Sequence, residues 1–182
     1  KYNMNKDDNF SRKEEKKFSD YGESWWEDNS VAAPLHKINP LRINFIRENT
    51  DSLKNCSVLD VGCGRGAWLK ACHELGSNNL YGYDGNWNSQ SQMIDESIEF
   101  TSIDLNEPFS LNKKVDLLIT LEVAEHLEPS CSAQFVKSII DSSNSILFSA
   151  AYTGQGGTNH INEQSHSYWA NLFIKNGYVP FD

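Results

Sequence analysis

The stretch from Val58 to Gly66, VLDVGCGRG, constrains the fold of this chain more than any other part of its sequence. An apolar run ends in three glycines spaced by one residue, which predicts a buried strand that turns sharply into a helix. Gly62, Gly64 and Ala67 fit the loose nucleotide-binding pattern G-x-G-x-x-G/A, so a dinucleotide such as NAD is one candidate ligand. Asp60 lies two residues before the first glycine and therefore beside any ligand bound at the turn.

Strands and helices alternate along the chain after this point. The predicted strands are Val58–Val61, Leu80–Asp84, Ile98–Asp104, Val115–Leu121 and Ser145–Ala150, with Tyr178–Phe181 as the start of a sixth. The predicted helices are Ala67–Leu75, Ala133–Ser142 and Ser167–Asn176, preceded by one that begins near Asn39 and Pro40. This order predicts an α/β, Rossmann-like fold with a mostly parallel sheet and helices on both faces. The sequence ends where a last strand should form, so either the sheet is short or the chain is a fragment.

Composition and charge narrow the classes of function. The chain has 182 residues, a formal net charge of −9 and a pI near 5.0, which argues against extended contact with nucleic-acid phosphates. No apolar run approaches the roughly 18 residues of a membrane helix, and the N-terminal stretch lacks the apolar segment of a secretory signal. Its four cysteines form no C-x-x-C pair, so we expect ordinary thiols in the reducing cytoplasm.

Two carboxylates help to decide which ligand binds at the glycine turn. Asp84 ends the second predicted strand and can accept hydrogen bonds from both hydroxyls of a ribose, as NAD and S-adenosylmethionine (SAM) both require. Asp60 discriminates between them, because a pyrophosphate beside a carboxylate in a poorly solvated cleft would cost several kcal/mol. SAM carries an ammonium and a sulfonium and no phosphate, so it would be attracted. Asp60 could also be satisfied by backbone amides of its own loop, and the two interpretations are compatible.

Residues 56–177 as a whole resemble the class I SAM-dependent methyltransferases. The hydrophobic-x-D-x-G-x-G-x-G turn corresponds to their motif I, and their later landmarks follow in order at Asp84, at Ile103-Asp104 and at LEVAEHL, residues 121–127. The resemblance implies that Gly62 and Gly64 line the methionine part of SAM and that Asp84 holds its ribose. It further implies that Asp104 accepts a hydrogen bond from the adenine amine and that Ile103 packs on the adenine ring. Leu121 and Glu122 are implied to lie along the cofactor.

The N-terminal part resembles the ubiquinone-biosynthesis O-methyltransferases, through a WW-x-D tract and PLH-x-INPLR just before the fold. This implies that Arg42 contacts the cofactor and that Trp25, Trp26 and His36 contribute to the substrate side, although core packing is the simpler role for the two tryptophans. We therefore expect residues 1–55 to form a helical lid or substrate segment and residues 56–182 the SAM-binding domain. The C-terminal part, with GQGG-x-x-H-x-N, resembles a different set of small-molecule methyltransferases.

Methylation of a hydroxyl needs a group that removes its proton. His126 follows the fourth predicted strand near the expected methyl position and is our first candidate for this base, although it could instead be a structural histidine held by Glu122 or Glu125. His160, Glu163 and His166 spell H-x-x-E-x-x-H in a predicted loop, where we expect His160 to contact substrate and assign no metal.

The sequence therefore predicts a SAM-dependent methyltransferase that methylates a small molecule at a hydroxyl oxygen, such as that of a phenol. An N- or C-methyltransferase of a sugar or lipid precursor is the alternative within enzymes. A non-catalytic SAM-binding domain is the alternative outside them, and an NAD-binding protein comes third. The expected partners are SAM and the acceptor, with no nucleic acid and no membrane segment, and the sequence leaves the oligomeric state open.

Overall fold

A computed structural model of the chain describes residues 41–48, 52–110 and 114–181. The chain divides into two units, Lys1–Asp51 and Ser52–Asp182. In the first unit, the described residues form one helix, α1, at residues 41–48. This helix was predicted from the capping signal at Asn39 and Pro40, which themselves lie outside the described residues.

The second unit contains the alternating strands and helices that the sequence predicts. Its strands are β1 Ser57–Val61, β2 Asn79–Asp84, β3 Ile98–Ser102, β4 Leu117–Leu121 and β5 Ile146–Ser149. Its α-helices are α2 Ala67–Glu74, α3 Ser132–Ser142 and α4 His166–Ile174. Short 3-10 turns lie at Gln90–Gln92, Ala124–His126 and Pro129–Cys131.

The five strands form one parallel sheet in the order β3-β2-β1-β4-β5. The chain runs outward from β1 to β3 on one side, then returns to place β4 on the other side of β1. The carboxyl ends of β1 and β4 therefore flank the point at which the winding direction reverses, where open parallel sheets bind their ligands. This architecture confirms the predicted Rossmann-like class.

Helices cover both faces of the sheet, as predicted. On one face, Leu59 and Val61 of β1 belong to a buried cluster with Phe135 of α3 and Trp169 of α4. On the other face, α2 packs against β1 and β2 and buries Leu69 and Cys72. Each large apolar side chain buried in this way contributes about 1.5–3 kcal/mol, which holds the carboxyl ends of the strands in fixed positions.

Several predicted strand boundaries were wrong. β3 ends at Ser102 and not at Asp104, because the carboxylate of Asp104 accepts the backbone N–H of Asn106 at 2.9 Å in a turn. β4 begins at Leu117, and Val115 makes only an isolated bridge to Ser143. β5 is shorter than predicted by one residue at each end.

The expected sixth strand at residues 178–181 does not form. The hydroxyl of Tyr178 instead donates to the backbone carbonyls of Ile140, at 3.1 Å, and Ser143. Val179 and Phe181 are largely exposed. No helix in the described part of the chain combines the length and the apolar character needed to cross a bilayer.

Candidate active site

The glycine turn after β1 is closed by its own backbone hydrogen bonds. The N–H groups of Gly62 and Cys63 both donate to the carbonyl of Tyr83, at 2.7 and 3.2 Å, and the N–H of Gly66 donates to the carbonyl of Cys63 at 2.8 Å. The N–H of Gly64 donates to the Asp84 carboxylate at 2.7 Å. These four amides are therefore already engaged within the fold and are not free to bind a diphosphate.

Gly62 and Gly64 both adopt left-handed backbone conformations, with φ of +81° and +52°. A Cβ on Gly62 would collide with the side chain of Val123, whereas a Cβ on Gly64 would meet no atom within 4 Å. The turn therefore packs against the loop after β4 at Gly62 and borders open space at Gly64, where a ligand can approach the backbone closely.

Asp84 and Asp60 place two buried carboxylates beneath this turn. Asp84 accepts the N–H groups of Gly64 and Gly85, each at 2.7 Å, and burial raises its pKa to about 6 although these two bonds act in the opposite direction. Burial, together with the charge of Asp84, raises the pKa of Asp60 well above its usual range. Oδ2 of Asp60 has no hydrogen-bond partner among the described residues. A cation bound beside these carboxylates would favour their ionised forms, whereas an anion would be repelled by them.

Two further predicted cofactor residues lie after β3, next to β2 in the sheet. The backbone N–H of Ile103 donates to the carbonyl of Asp84 at 2.8 Å, and the Ile103 side chain is partly buried against the core. Asp104 is exposed at the same edge, and one of its carboxylate oxygens accepts from Asn106. Both residues are therefore at the carboxyl edge of the sheet, as predicted.

Leu121 ends β4 and Glu122 follows it in a strained conformation. Glu122 has a φ of +60°, which L-residues with long side chains rarely adopt. The hydroxyl of Ser149 donates to Glu122 Oε1 at 2.6 Å, and the backbone N–H of Glu122 donates to the Ser149 carbonyl at 3.1 Å. Strain of this kind is typical of functional sites, where the surrounding contacts hold an unfavourable backbone in place.

The next residues form a 3-10 turn, Ala124–His126, in which Glu125 and His126 have opposite exposure. Glu125 is completely buried, and neither of its carboxylate oxygens has a hydrogen-bond partner among the described residues. Burial raises the pKa of Glu125, and the nearby backbone N–H groups of Glu125 and Ala151 counteract this only in part. His126 is exposed, and its Nδ1 lies 3.2 Å from the carbonyl oxygen of Asn159.

The loop between β5 and α4 folds back onto this turn through Asn162. The buried Asn162 side chain donates to the carbonyl of Ala124 at 3.1 Å and to Ser132 Oγ at 2.9 Å. Its backbone N–H donates to the carbonyl of Glu125 at 3.0 Å. These three bonds fix the loop against the residues that follow β4.

The same loop brings His160 to His126. Their ring centroids are 4.9 Å apart at an interplanar angle of 82°. Nδ1 of His160 lies 3.3 Å from Glu163 Oε1. The N–H groups of Gly154 and Gly156 also donate to the Glu163 carboxylate. These hydrogen bonds, of which the one from Gly154 has the larger effect, lower the pKa of Glu163.

The structure thus brings most of the predicted site residues of the second unit to one edge of the sheet. Arg42 lies on α1 in the first unit, and Trp25, Trp26 and His36 lie outside the described residues. Sequence reasoning missed the buried Glu125 and the bridging Asn162. It also missed Asn88, which is buried and donates its side-chain amide to the carbonyl of Gly64. The only sequence signal that could have identified Asn162 was its place as the last residue of the pattern GQGG-x-x-H-x-N.

Comparison with known proteins adds independent information. The family model "Methyltransferase domain" matches residues 25–178. A ubiquinone biosynthesis O-methyltransferase of Pelagibacter ubique is 32% identical over 132 residues, which cover 64% of this chain and 55% of that protein. The chain spans about half the length of the curated relatives it matches.

Solved methyltransferase structures share the fold at low sequence identity. A SAM-dependent methyltransferase from Archaeoglobus fulgidus superposes with a TM-score of 0.60 at 20% identity, covering 77% of this chain and 69% of that one. Magnesium protoporphyrin IX methyltransferase from Synechocystis, solved with bound S-adenosylhomocysteine (SAH), gives a TM-score of 0.61 at 16% identity, covering 84% and 77%. The arrangement of the sheet and helices is therefore one that solved methyltransferases share.

Proposed function

Because this chain belongs to the methyltransferase domain family, we propose that it binds SAM and transfers the methyl group to a hydroxyl oxygen of a small molecule. The observation that carries this proposal is the pair of buried carboxylates, Asp60 and Asp84, beneath a glycine turn whose amides are already engaged. A dinucleotide needs free backbone N–H groups for its pyrophosphate. A sulfonium nucleoside needs negative charge and a close backbone approach, and this turn offers both.

The residues around the turn fit the parts of SAM in chain order. Gly62 and Gly64 line the methionine portion, and the buried Asp60 carboxylate lies behind them, where a bound cation would favour its ionised form. Asp84 retains lone pairs on both oxygens for the two ribose hydroxyls after accepting from Gly64 and Gly85. These proposed contacts continue along one edge of the sheet.

The adenine and the amino-acid end of SAM are assigned to residues further along this edge and in the first unit. Asp104 accepts a hydrogen bond from the adenine amine while Ile103 packs on the adenine ring. Leu121 and Glu122 lie along the cofactor. Arg42 is proposed to bind the methionine carboxylate. Trp25, Trp26 and His36, together with His160, are proposed to contact the acceptor.

Bound SAM supplies a methyl group on a positively charged sulfur, and the carbon–sulfur bond breaks with its electron pair on sulfur as the acceptor oxygen bonds to carbon. The chain must orient the acceptor and remove its proton. A carbonyl oxygen can only accept, so Nδ1 of His126 donates to Asn159 and Nε2 carries the lone pair. His126 Nε2 is therefore the proposed proton acceptor, a role that typically contributes about 10²–10⁴ in rate.

The relatives support an oxygen nucleophile, since several of them are ubiquinone biosynthesis O-methyltransferases. A phenol or catechol is accordingly the proposed acceptor class. The net charge of −9 makes an extended nucleic-acid acceptor unfavourable. These relatives are longer than this chain, and the acceptor can differ from theirs.

The test of this proposal is transfer of a labelled methyl group from SAM to a panel of phenols, catechols, amines and sugars, with product identified by mass spectrometry. We expect O-methylated product from at least one phenol or catechol. Product only from amines or carbon acids would replace the oxygen assignment. Tight SAM binding without turnover on any member would favour a non-catalytic SAM-binding domain.

A further inference from the structure

The loop between β5 and α4 is organised around the carboxylate of Glu163. Its Oε2 accepts the backbone N–H of Gly154 at 2.8 Å, and its Oε1 accepts the N–H of Gly156 at 2.7 Å. Nδ1 of His160 lies 3.3 Å from the same Oε1. The hydrogen bonds, that from Gly154 first, lower the pKa of Glu163, so this carboxylate is ionised at neutral pH.

Three glycines make this arrangement possible. Gly154 and Gly156 have φ of +87° and +71°, in the left-handed region that other residues rarely adopt. A Cβ on Gly157 would collide with the His160 ring. The pattern G-x-G-G-x-x-H-x-x-E at residues 154–163 therefore holds one imidazole ring in one orientation.

The carboxylate also determines which nitrogen of His160 carries the proton. An ionised carboxylate can only accept hydrogen bonds, so Nδ1 of His160 is the donor and Nε2 carries the lone pair. The neighbouring ring of His126 has the same tautomer, because its Nδ1 donates to the carbonyl of Asn159. The two rings are 4.9 Å apart. Two imidazoles that each carry a lone pair on Nε2 therefore lie side by side.

The His160 ring is more sheltered from water than its position in an exposed loop suggests. The side chains of His160 and Glu163 are only 14% and 17% exposed. A sheltered lone pair that receives no hydrogen bond from a bound molecule loses its bond to water without replacement. A site of this kind discriminates strongly against molecules that lack the matching donor.

We propose that Glu163 is a positioning residue that fixes the Nε2 lone pair of His160, and that His160 thereby selects methyl acceptors with a second hydrogen-bond donor beside the reacting hydroxyl. This inference rests on the proposed function, in which His126 Nε2 takes the proton of the reacting hydroxyl. The substituent next to that hydroxyl then reaches the adjacent His160 ring. A hydroxyl there donates to Nε2, whereas a methoxy group offers only further lone pairs.

The kinetic test compares methyl transfer from SAM to catechol and to 2-methoxyphenol, which lacks the second donor. We expect kcat/KM to be about tenfold higher for catechol, after correction for its two equivalent hydroxyls. His160→Ala should remove most of this preference by raising the KM for catechol. The kcat for 2-methoxyphenol should stay within about twofold of the original value, which would show that His126 still functions.

Variants of Glu163 test the positioning role. Glu163→Gln should lose the catechol preference as His160→Ala does, and Glu163→Asp, which keeps the charge, should restore part of it. Glu74→Gln removes the same charge from an exposed position at the end of α2 and should behave like the unmodified protein. If Glu163 only held the loop together, its loss would slow the methylation of both compounds equally. Circular dichroism and thermal melting check that each variant is folded.

The tautomer of His160 can be read without any methyl acceptor. Proton–nitrogen NMR of histidine-labelled protein at about pH 8.5, where an ordinary imidazole is neutral, reports which ring nitrogen carries the proton. The spectrum of His160→Ala identifies the signals of this ring. We expect the proton on Nδ1 in the unmodified protein, and a change in this pattern in Glu163→Gln.

The outcomes separate this inference from the proposed function. A proton on Nε2 of His160, or a catechol preference that survives both His160→Ala and Glu163→Gln, would overturn the inference and leave the O-methylation standing. A proton on Nδ1 in a protein that methylates neither compound would support the orientation of His160 by Glu163 and overturn the proposed class of methyl acceptor.

Discussion

The Asp84 carboxylate accepts the backbone N–H of Gly64 at 2.7 Å, which ties the end of β2 to the glycine turn after β1. The second oxygen of the same carboxylate accepts the N–H of Gly85 at 2.7 Å. One side chain therefore both shapes the turn and presents negative charge to the proposed ribose position.

Replacing Asp84 with Asn should weaken SAM binding at least tenfold, because the amide loses the charge and one of the two acceptors that face the ribose. Isothermal titration calorimetry measures the change. Asp141→Asn is the matched control, since it removes the same charge from an exposed position that pairs only with Lys137 among the described contacts. Equal affinities for the two variants would remove Asp84 from the ribose site.

SAM affinity should fall as the pH drops below about 6, the pKa to which burial raises Asp84. The ribose hydroxyls donate to the ionised carboxylate, so bound SAM favours that form and the protonated form binds more weakly. The loss should approach tenfold for each pH unit below this value, since one unit corresponds to about 1.4 kcal/mol. In Asp84→Asn the fall between pH 7.5 and 5 should be clearly shallower, because Asp60 is then the only one of the two buried carboxylates that titrates, and an equally steep fall there would assign the dependence to another group.

Gly62→Ala should destabilise the protein more than Gly64→Ala. Both substitutions place alanine in a left-handed conformation, at about 1–2 kcal/mol, and only the first also collides with Val123. Overpacking of that kind adds about 1–3 kcal/mol. Urea unfolding gives the two free energies, and similar losses for both variants would contradict the packing of the turn against Val123.

His126→Ala should lower the turnover number about 10²–10⁴-fold while SAM affinity stays within twofold, because His126 acts on the acceptor and not on the cofactor. Steady-state kinetics and calorimetry on the same preparation separate the two effects. His73→Ala, a surface histidine paired with Asp95, is the control and should retain activity. Full activity of His126→Ala would leave this histidine with a structural role only.

Asn162→Ala should reduce the free energy of unfolding by about 1–3 kcal/mol, because it leaves the buried carbonyl of Ala124 and the Ser132 hydroxyl without their donor. The exposed amide of Asn176, which donates to the carbonyl of Leu172, offers a control of the same residue type. Asn176→Ala should lower the free energy of unfolding by clearly less in the same denaturant titration. Equal costs would mean that Asn162 does not hold the loop to the turn after β4.

Local sequence patterns predicted the strand–turn–helix from Val58 onward because the apolar run, the glycines and the helical periodicity all favour the same backbone. The same kind of pattern was wrong for residues 178–181, because a strand also needs a neighbour with which to pair, and Tyr178 donates to the end of α3 instead. Propensity carries no information about such partners.

The same distinction applies to the site: some of its residues are recognisable from the local sequence, and others are brought together only by the tertiary fold. Asp84 was predicted from its position at the end of a strand, where the topology determines which edge it occupies, and Glu122 was predicted from the resemblance to the methyltransferases. The burial of Glu125 was not predicted, since nothing in LEVAEHL distinguishes a buried carboxylate from an exposed one. Its pairing with His160 depends on the folding of a loop 35 residues later, which only the structure shows.

The most direct test of this account is calorimetry of the unmodified chain with SAM, SAH and NAD under identical conditions. The buried carboxylates at Asp60 and Asp84 and the engaged amides of the glycine turn predict stoichiometric binding of SAM and SAH and none of NAD. Stoichiometric binding of NAD, with no heat from either adenosyl compound, would contradict it.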